Sequence, residues 1–149
     1  MPAMQKTHIF VYGTLKQGFK NCHLNRGEPL PGPWLTVQAW PLYVIGETAL
    51  PWLTPLAGHG QRVVGELVAV DDDALQLMDA LEQVNDPGWY QRLPLQVQDP
   101  SGNTVWAQAY FGCPTRLASE PILAGPLPAF TAAWNARFRE TYADFLQGS

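Results

Sequence analysis

The sequence predicts an α+β fold: a small, mixed, strongly twisted and barrel-like β-sheet with flanking helices. Three observations lead to it. Strand patterns dominate the middle of the chain, helical patterns are few, and a Gly-containing turn at 99–103 joins two strand patterns as an antiparallel hairpin. The 149 residues include 14 Pro and 13 Gly, which disfavours a bundle of long helices. We expect one domain over 1–149, with 126–149 as a C-terminal helical extension.

The first half of the chain contains two clear strand patterns. Residues 8–12 form an apolar strand that runs into a turn at Gly13. Residues 27–60 are expected to be irregular because prolines interrupt them repeatedly, with 40–45 as a short candidate strand. Residues 61–70 are apolar on both faces apart from Glu66, which predicts a central strand covered on both sides.

The second half begins with a helix. Asp71 and Asp72 supply the side-chain oxygens that start it, and it should run to about Glu82 or Val84. Its apolar stripe is formed by Ala74, Leu77, Met78 and Leu81. Strands over 90–98 and 104–111 follow. The tail over 128–146 is predicted to be helical because Phe130, Trp134, Phe138 and Tyr142 recur at every fourth position.

Composition argues against several classes of function. A net charge of −4 with few basic residues disfavours a nucleic-acid surface, and no apolar run approaches the length of a membrane span. The two cysteines, Cys22 and Cys113, and the absence of a signal-peptide pattern favour a reduced, cytoplasmic setting. The three dispersed histidines predict no metal site. We expect a monomer.

Two features carry candidate chemistry. The turn after the first strand presents consecutive backbone N–H groups that could hold an oxyanion, although a plain turn would have the same sequence. Glu82 lies along the apolar side of its helix, near the negative end of the helix dipole. Both placements should raise its pKa and suit it to act as a general base, unless it simply reaches solvent.

Other charged residues are weaker candidates. Asp79 is the rival carboxylate, expected to be solvated or bonded to a neighbouring loop. Glu66 is expected to pair with Arg62 or Arg92. The phenols of Tyr90 and Tyr110 could face a pocket or sit in the core with satisfied hydroxyls.

The motifs resemble those of the gamma-glutamylcyclotransferase-like (AIG2-like) superfamily, in particular its gamma-glutamylamine cyclotransferase branch. The resemblance covers roughly 8–111. It is carried by Tyr12-Gly13-Thr14-Leu15-Lys16 with Gly18, by Trp40-Pro41-Leu42-Tyr43-Val44-Ile45, Leu50-Pro51-Trp52-Leu53 and Val64-Gly65-Glu66-Leu67, and by Leu77-Met78-Asp79-Ala80-Leu81-Glu82 and Tyr90-Gln91-Arg92. It departs at Phe19-Lys20, where Gln-Pro is expected, and after Gly125, where no counterpart is evident.

The resemblance implies a cofactor-free enzyme that cyclises a gamma-glutamyl group to 5-oxoproline and releases the free amine. Tyr12, Gly13, Thr14 and Leu15 would bind the gamma-glutamyl group, Glu82 would be the catalytic acid/base, and Tyr110 would be a pocket residue. Two alternatives remain open: the same chemistry used to deprotect a biosynthetic amine, and a binding domain of the same fold without turnover.

Overall fold

The computed structural model describes residues 6–84 and 86–138. Its strands are β1 (Thr7–Val11), β2 (Glu28–Thr36), β3 (Leu42–Ile45), β4 (Leu50–Leu53), β5 (Val64–Val70), β6 (Tyr90–Gln98), β7 (Thr104–Gly112) and β8 (Ile122–Ala124). Its α-helices are α1 (Asp72–Leu81), α2 (Pro114–Ser119) and α3 (Ala132–Arg137), with a 3-10 turn at Cys22–Leu24. No helix in the described ranges is long and apolar enough to span a membrane.

Five strands form the barrel-like sheet, in the order β1-β5-β2-β6-β7. Neighbours run antiparallel except at the closing edge, where β1 meets β7 in parallel through Ile9 and Gln108. β5 lies between β1 and β2, which is the central position expected from its apolar sequence, although it begins at Val64 rather than at residue 61. The predicted α+β fold with a mixed, barrel-like sheet is confirmed.

The prediction that 27–60 is irregular is wrong, although its candidate strand at 40–45 is confirmed as β3, Leu42–Ile45. This stretch contains β2, and also β3 and β4, which join β8 in a second, three-stranded sheet. Prolines at 29, 31 and 33 disfavoured a strand in the sequence analysis. Pro31 and Pro33 lie where the register of β2 with β5 shifts, between Leu30 and Trp34, whereas Pro29 pairs with Val68 in the ladder. An interruption of the ladder tolerates residues that lack a backbone donor.

Helix α1 follows its sequence signals closely. The side chain of Asp71 accepts a hydrogen bond of 2.8 Å from the backbone N–H of Ala74, which caps the first turn. Met78 and Leu81 are fully buried against the sheet, and Leu77 is half-buried. The helix ends at Leu81, so that Glu82 is its C-terminal cap and not a residue of the last turn.

The C-terminal segment, residues 126–138, differs from the continuous helix predicted for 128–146. Its helix begins only at Ala132, capped by Thr131, and ends at Arg137. Phe130 and Phe138 are nevertheless buried at 0% and 1% exposure, as members of an apolar face would be. The predicted helical residues from 139 to 146, including Tyr142, lie outside the described residues.

Candidate active site

A cleft lies where the end of β1 meets the end of α1. It is a small cleft that is partly open to solvent. It is lined by Val11, Tyr12, Gly13, Thr14, Leu15, Pro51, Glu82, Tyr90 and Tyr110. Every residue that the sequence analysis selected for a site therefore lies on this one surface.

The loop that follows β1, residues 12–18, is held by hydrogen bonds at both ends. The N–H of Lys16 donates to the carbonyl of Gly13 at 3.1 Å, which closes a tight turn. The buried Asn21 side chain donates to Oγ1 of Thr14 at 3.0 Å, and its N–H donates to the Thr14 carbonyl at 2.9 Å. These bonds fix the orientation of the loop backbone where it lines the cleft.

Gly13 is required by close approach to β4. A side-chain Cβ at this position would lie 2.8 Å from Cγ of Pro51, inside the contact distance that real side chains keep. Pro51 itself lines the cleft, and the sequence analysis gave it no role in the site. The one indication in the sequence was that Pro51 belongs to the motif Leu50–Leu53, which contributed to the family resemblance but was not assigned to the site.

Glu82 is only 6% exposed and lines the cleft at the C-terminal end of α1. Its own N–H donates to the carbonyl of Met78 at 3.0 Å, so its backbone is fixed by the helix. The charge of Glu82 acts on two neighbouring phenols. Burial, and after it this charge, holds the pKa of Tyr12 well above the ordinary value of 10.0. The same charge contributes to the raised pKa of Tyr110.

The three tyrosines of the cleft are anchored through their hydroxyl groups. The Tyr12 hydroxyl donates to the Tyr110 carbonyl, and the Tyr90 hydroxyl donates to the Pro51 carbonyl at 2.6 Å. The Tyr110 hydroxyl donates to Oδ1 of Asp79 at 2.7 Å. The sequence analysis left two roles open for Tyr90 and Tyr110, and both apply. Each tyrosine lines the cleft, and each has its hydroxyl hydrogen-bonded to a protein acceptor.

Asp79 contacts strand residues and not a loop, contrary to expectation. Nε and Nη2 of Arg92 approach its two carboxylate oxygens at 3.0 and 3.2 Å, in a bidentate ion pair. Nη1 of Arg92 donates to Gln108 at 2.6 Å. The Tyr110 hydroxyl is the third donor to the Asp79 carboxylate. Burial is the main cause of the raised pKa of Tyr110, and its hydrogen bond to Asp79 is the second cause. Asp79 is therefore occupied as a structural acceptor one helical turn before Glu82.

The predicted pairing of Glu66 with an arginine is wrong. Oε1 of Glu66 accepts a hydrogen bond of 2.8 Å from the backbone N–H of Gln17, in the loop after β1. Arg92 pairs with Asp79, and Nε of Arg62 donates to the carbonyl of Thr36 at 2.8 Å. Glu66 thus helps to hold the loop, a role that spacing along the chain does not indicate.

No three His, Cys, Asp or Glu side chains within residues 6–84 and 86–138 are grouped so that they could hold a metal ion. The polar groups that converge on the cleft are instead one carboxylate, three phenols and the backbone of the loop. Such a set can transfer protons and bind oxygen atoms of a small ligand.

Comparison with known proteins supports this description. The sequence model of the family described as gamma-glutamyl cyclotransferase, AIG2-like, matches residues 9–126. The chain is 43% identical over 96 residues to the gamma-glutamylaminecyclotransferase of Mus musculus, covering 61% of this chain and 63% of that protein. Identity to the Homo sapiens protein of the same name is 39% over 95 residues, or 60% of this chain and 61% of that one. The chain thus matches less than two thirds of the length of these relatives.

Solved structures share the fold. The crystal structure of an AIG2-like protein from Mus musculus superposes with a TM-score of 0.70 at 33% identity, covering 85% of this chain and 89% of that one. A structure described as gamma-glutamyl cyclotransferase superposes with a TM-score of 0.60 at 14% identity, over 97% of this chain and all of that one. At that identity the second likeness concerns the fold alone.

Proposed function

This chain belongs to the gamma-glutamyl cyclotransferase, AIG2-like family, and we propose that it cyclises the gamma-glutamyl group of a gamma-glutamylamine to 5-oxoproline. The observation that carries the proposal is the burial of Glu82 beside the loop 12–15 in one cleft. The names of the relatives point to the same reaction. No cofactor is required in this proposal, because proton transfer and ring closure need only the substrate and the side chains of the cleft.

The loop after β1 would bind the gamma-glutamyl group. The N–H groups of Thr14 and Leu15 have no acceptor among the described residues, and both residues line the cleft. They are therefore available to the γ-carbonyl oxygen, whose negative charge develops as the ring closes. Tyr12 and Tyr110 would form the walls, because their hydroxyls are already committed to protein acceptors.

Glu82 would be the acid/base. It removes one proton from the α-ammonium group, and the freed amine attacks the γ-carbonyl carbon to form the five-membered ring. The ring nitrogen then loses a second proton, the bond to the leaving nitrogen breaks, and the leaving amine gains two protons. One of the three ammonium protons stays on the lactam nitrogen, and Glu82 ends as it began.

The energetic cost of the first step explains why the surroundings of Glu82 matter. Moving a proton from an α-ammonium group to an ordinary carboxylate costs about 5 kcal/mol, from pKa values near 8 and 4.3. Burial at a helix C-terminus disfavours the charged carboxylate and lowers that cost. Attack within one molecule avoids the entropy loss of a bimolecular step, so the cleft need only favour the folded substrate.

A second candidate function keeps the chemistry and changes the leaving amine. The residues named above address only the gamma-glutamyl part, and the amine would extend toward the open side of the cleft. A gamma-glutamyl group that protects a biosynthetic amine would enter the same way.

We also propose that the chain, residues 1–149, is a single domain. Its cytoplasmic placement is proposed from two unpaired cysteines, Cys22 and Cys113.

The test is 5-oxoproline release from a panel of gamma-glutamyl-ε-lysine, gamma-glutamyl amino acids and glutathione. Two control compounds sharpen it. An α-glutamyl isomer cannot expel its amine by this ring closure, and an N-acetylated gamma-glutamyl compound has no nucleophilic amine. Release from at least one panel member, with none from either control, is expected. Absence of release from every member would reject turnover and favour a binding domain of the same fold.

A further inference from the structure

The C-terminal segment, residues 126–138, lies almost wholly beyond the part of the chain matched by the family model, which ends at residue 126. It is hydrogen-bonded to strand residues of both sheets. The N–H of Leu127 donates to the carbonyl of Leu42 at 2.8 Å, and the carbonyl of Pro128 accepts from the N–H of Val64 at 2.8 Å. From these anchors the segment continues to the loop that lines the cleft.

The first contact between segment and loop is made by Lys16. Its Nζ donates to the carbonyl of Phe130 at 2.7 Å and lies 4.3 Å from the ring centroid of Phe19. The rings of Phe19 and Phe130 are 6.2 Å apart. Lys16 is only 9% exposed, and this burial lowers its pKa. A cation withdrawn from water needs such partners, so the contact strongly prefers one geometry.

The second contact is made by Lys20. Its backbone N–H donates to Oδ1 of Asn135 at 2.8 Å, while its Nζ donates to the carbonyls of Ala136, at 3.2 Å, and Phe138. A proline at position 20 would have no N–H for Asn135. The C-terminal segment therefore contacts Phe19 and Lys20, and these are the two positions at which this sequence departs from the expected Gln-Pro.

Only a short stretch of backbone separates these contacts from the residues that line the cleft. Lys16 directly follows Leu15, and its N–H closes the turn on Gly13 at 3.1 Å. The next N–H, of Gln17, is held by Glu66 at 2.8 Å. The loop is therefore held from β5 on one side and from the C-terminal segment on the other. A displacement of about 1 Å at catalytic groups can cost a hundredfold in rate.

We propose that the C-terminal segment positions the loop for catalysis, with Lys16 and Asn135 as positioning residues that set the orientation of the Thr14 and Leu15 N–H groups. The inference rests on the proposed function, and it extends that function to residues that touch no substrate. The competing role is coverage of the core, since Phe130 and Phe138 are buried.

The test pairs each disruptive variant with a conservative one. Lys16→Met removes the ammonium and keeps most of the stem, whereas Lys16→Arg keeps a donor. Asn135→Ala removes the acceptor for the Lys20 N–H, whereas Asn135→Asp keeps an oxygen there. Asn103→Ala, in the β6–β7 turn, is the control that loses an asparagine contact far from the loop. The readouts are kcat and KM for gamma-glutamyl-ε-lysine, the melting temperature, and the amide ¹H–¹⁵N shifts of Thr14 and Leu15.

We expect Lys16→Met to lower kcat by about 10- to 100-fold with KM changed less than about threefold. Asn135→Ala should lower kcat by about three- to tenfold, and both conservative variants should restore most of the loss. The Thr14 and Leu15 amide shifts should move in Asn135→Ala, whose substitution lies far from them in sequence, and stay unchanged in Asn103→Ala.

A fall in melting temperature with unchanged kcat and unchanged amide shifts would overturn the inference and leave coverage of the core as the role of the segment. The amide shifts also separate this inference from the proposed function. If the wild type cyclised none of the panel compounds, the proposed function would fail, and catalytic positioning would fall with it. Movement of the shifts in that case would show a purely structural coupling.

Discussion

The Tyr110 hydroxyl donates a hydrogen bond of 2.7 Å to Oδ1 of Asp79, and this contact joins one wall of the cleft to the helix that presents Glu82. Asp79 precedes Glu82 by three residues, so both lie in the final turn of α1 and its cap. Arg92 holds the same carboxylate at 3.0 Å. The position of the proposed acid/base is therefore set by an acceptor whose partners come from β6 and β7.

Tyr110→Phe is expected to lower kcat while leaving the fold intact. Loss of this hydrogen bond to a charged acceptor should cost about 1.5–3 kcal/mol of unfolding free energy. The Asp79 side chain would then be bound by Arg92 alone, and kcat should fall about tenfold. Denaturant unfolding and steady-state kinetics check the two effects. Tyr43→Phe, in β3 and outside the cleft lining, is the control, and an unchanged kcat in Tyr110→Phe would contradict the coupling.

Gly13→Ala is expected to abolish most activity. The new methyl group would lie 2.8 Å from Cγ of Pro51, so the loop or β4 must move and the Thr14 N–H moves with it. We expect a loss of at least about 100-fold in kcat/KM, by 5-oxoproline assay.

Gly102→Ala is the matched control for Gly13→Ala. Gly102 has a positive φ of 89° with open space around it, so alanine strains the backbone there without a clash. It should cost about 1 kcal/mol of unfolding free energy, with kcat/KM unchanged. Equal losses of activity in the two variants would mean that general destabilisation, and not loop geometry, explains the effect.

The buried phenols predict a loss of stability in alkali. Burial raises the pKa of Tyr12 and Tyr110 above 10.0, so above about pH 10 the unfolded chain releases protons that the folded chain retains. The unfolding free energy should then fall by about 1.4 kcal/mol per pH unit for each of the two phenols. Below about pH 10 both states keep these protons, and the two groups add no pH dependence.

Urea unfolding between pH 9 and pH 11.5 measures this slope, and Tyr110→Phe should remove the part due to Tyr110. Lys16 acts in the opposite direction in the window below 10.5, because its folded-state pKa is lowered by burial. Its contribution is the same in the wild type and in Tyr110→Phe, so the difference between the two slopes isolates the phenol. Identical slopes would contradict the raised pKa of Tyr110.

The elements that could be predicted from the sequence are those specified by local signals. The strand at Tyr90–Gln98 was predicted with the observed bounds, because a Gly-containing turn separates two alternating patterns. The placement of Glu82 followed from the Asp71 cap and the apolar stripe of α1, which together fix which side of the helix is buried. Its predicted raised pKa stays a prediction.

The remainder depends on contacts between distant parts of the chain. Arg92 and Tyr110 reach Asp79 from 13 and 31 positions away, and spacing could not select Asp79 over Glu66 as the partner of Arg92. Lys16 meets the Phe130 carbonyl across 114 positions. Strand β2 was missed because its prolines are unfavourable in a regular ladder, and the register shift at which Pro31 and Pro33 lie is a property of the assembled sheet.

The most direct test of the account is the turnover of Glu82→Gln on the best substrate of the panel, measured together with substrate affinity. Glutamine keeps the shape of the side chain and removes its ability to take a proton. We predict a fall in kcat of about 10²- to 10⁴-fold with affinity retained, while Asp73→Asn, an exposed carboxylate in the first turn of the same helix, behaves as the wild type. Release of 5-oxoproline by folded Glu82→Gln at a rate near that of the wild type would contradict the assignment of Glu82 as the acid/base.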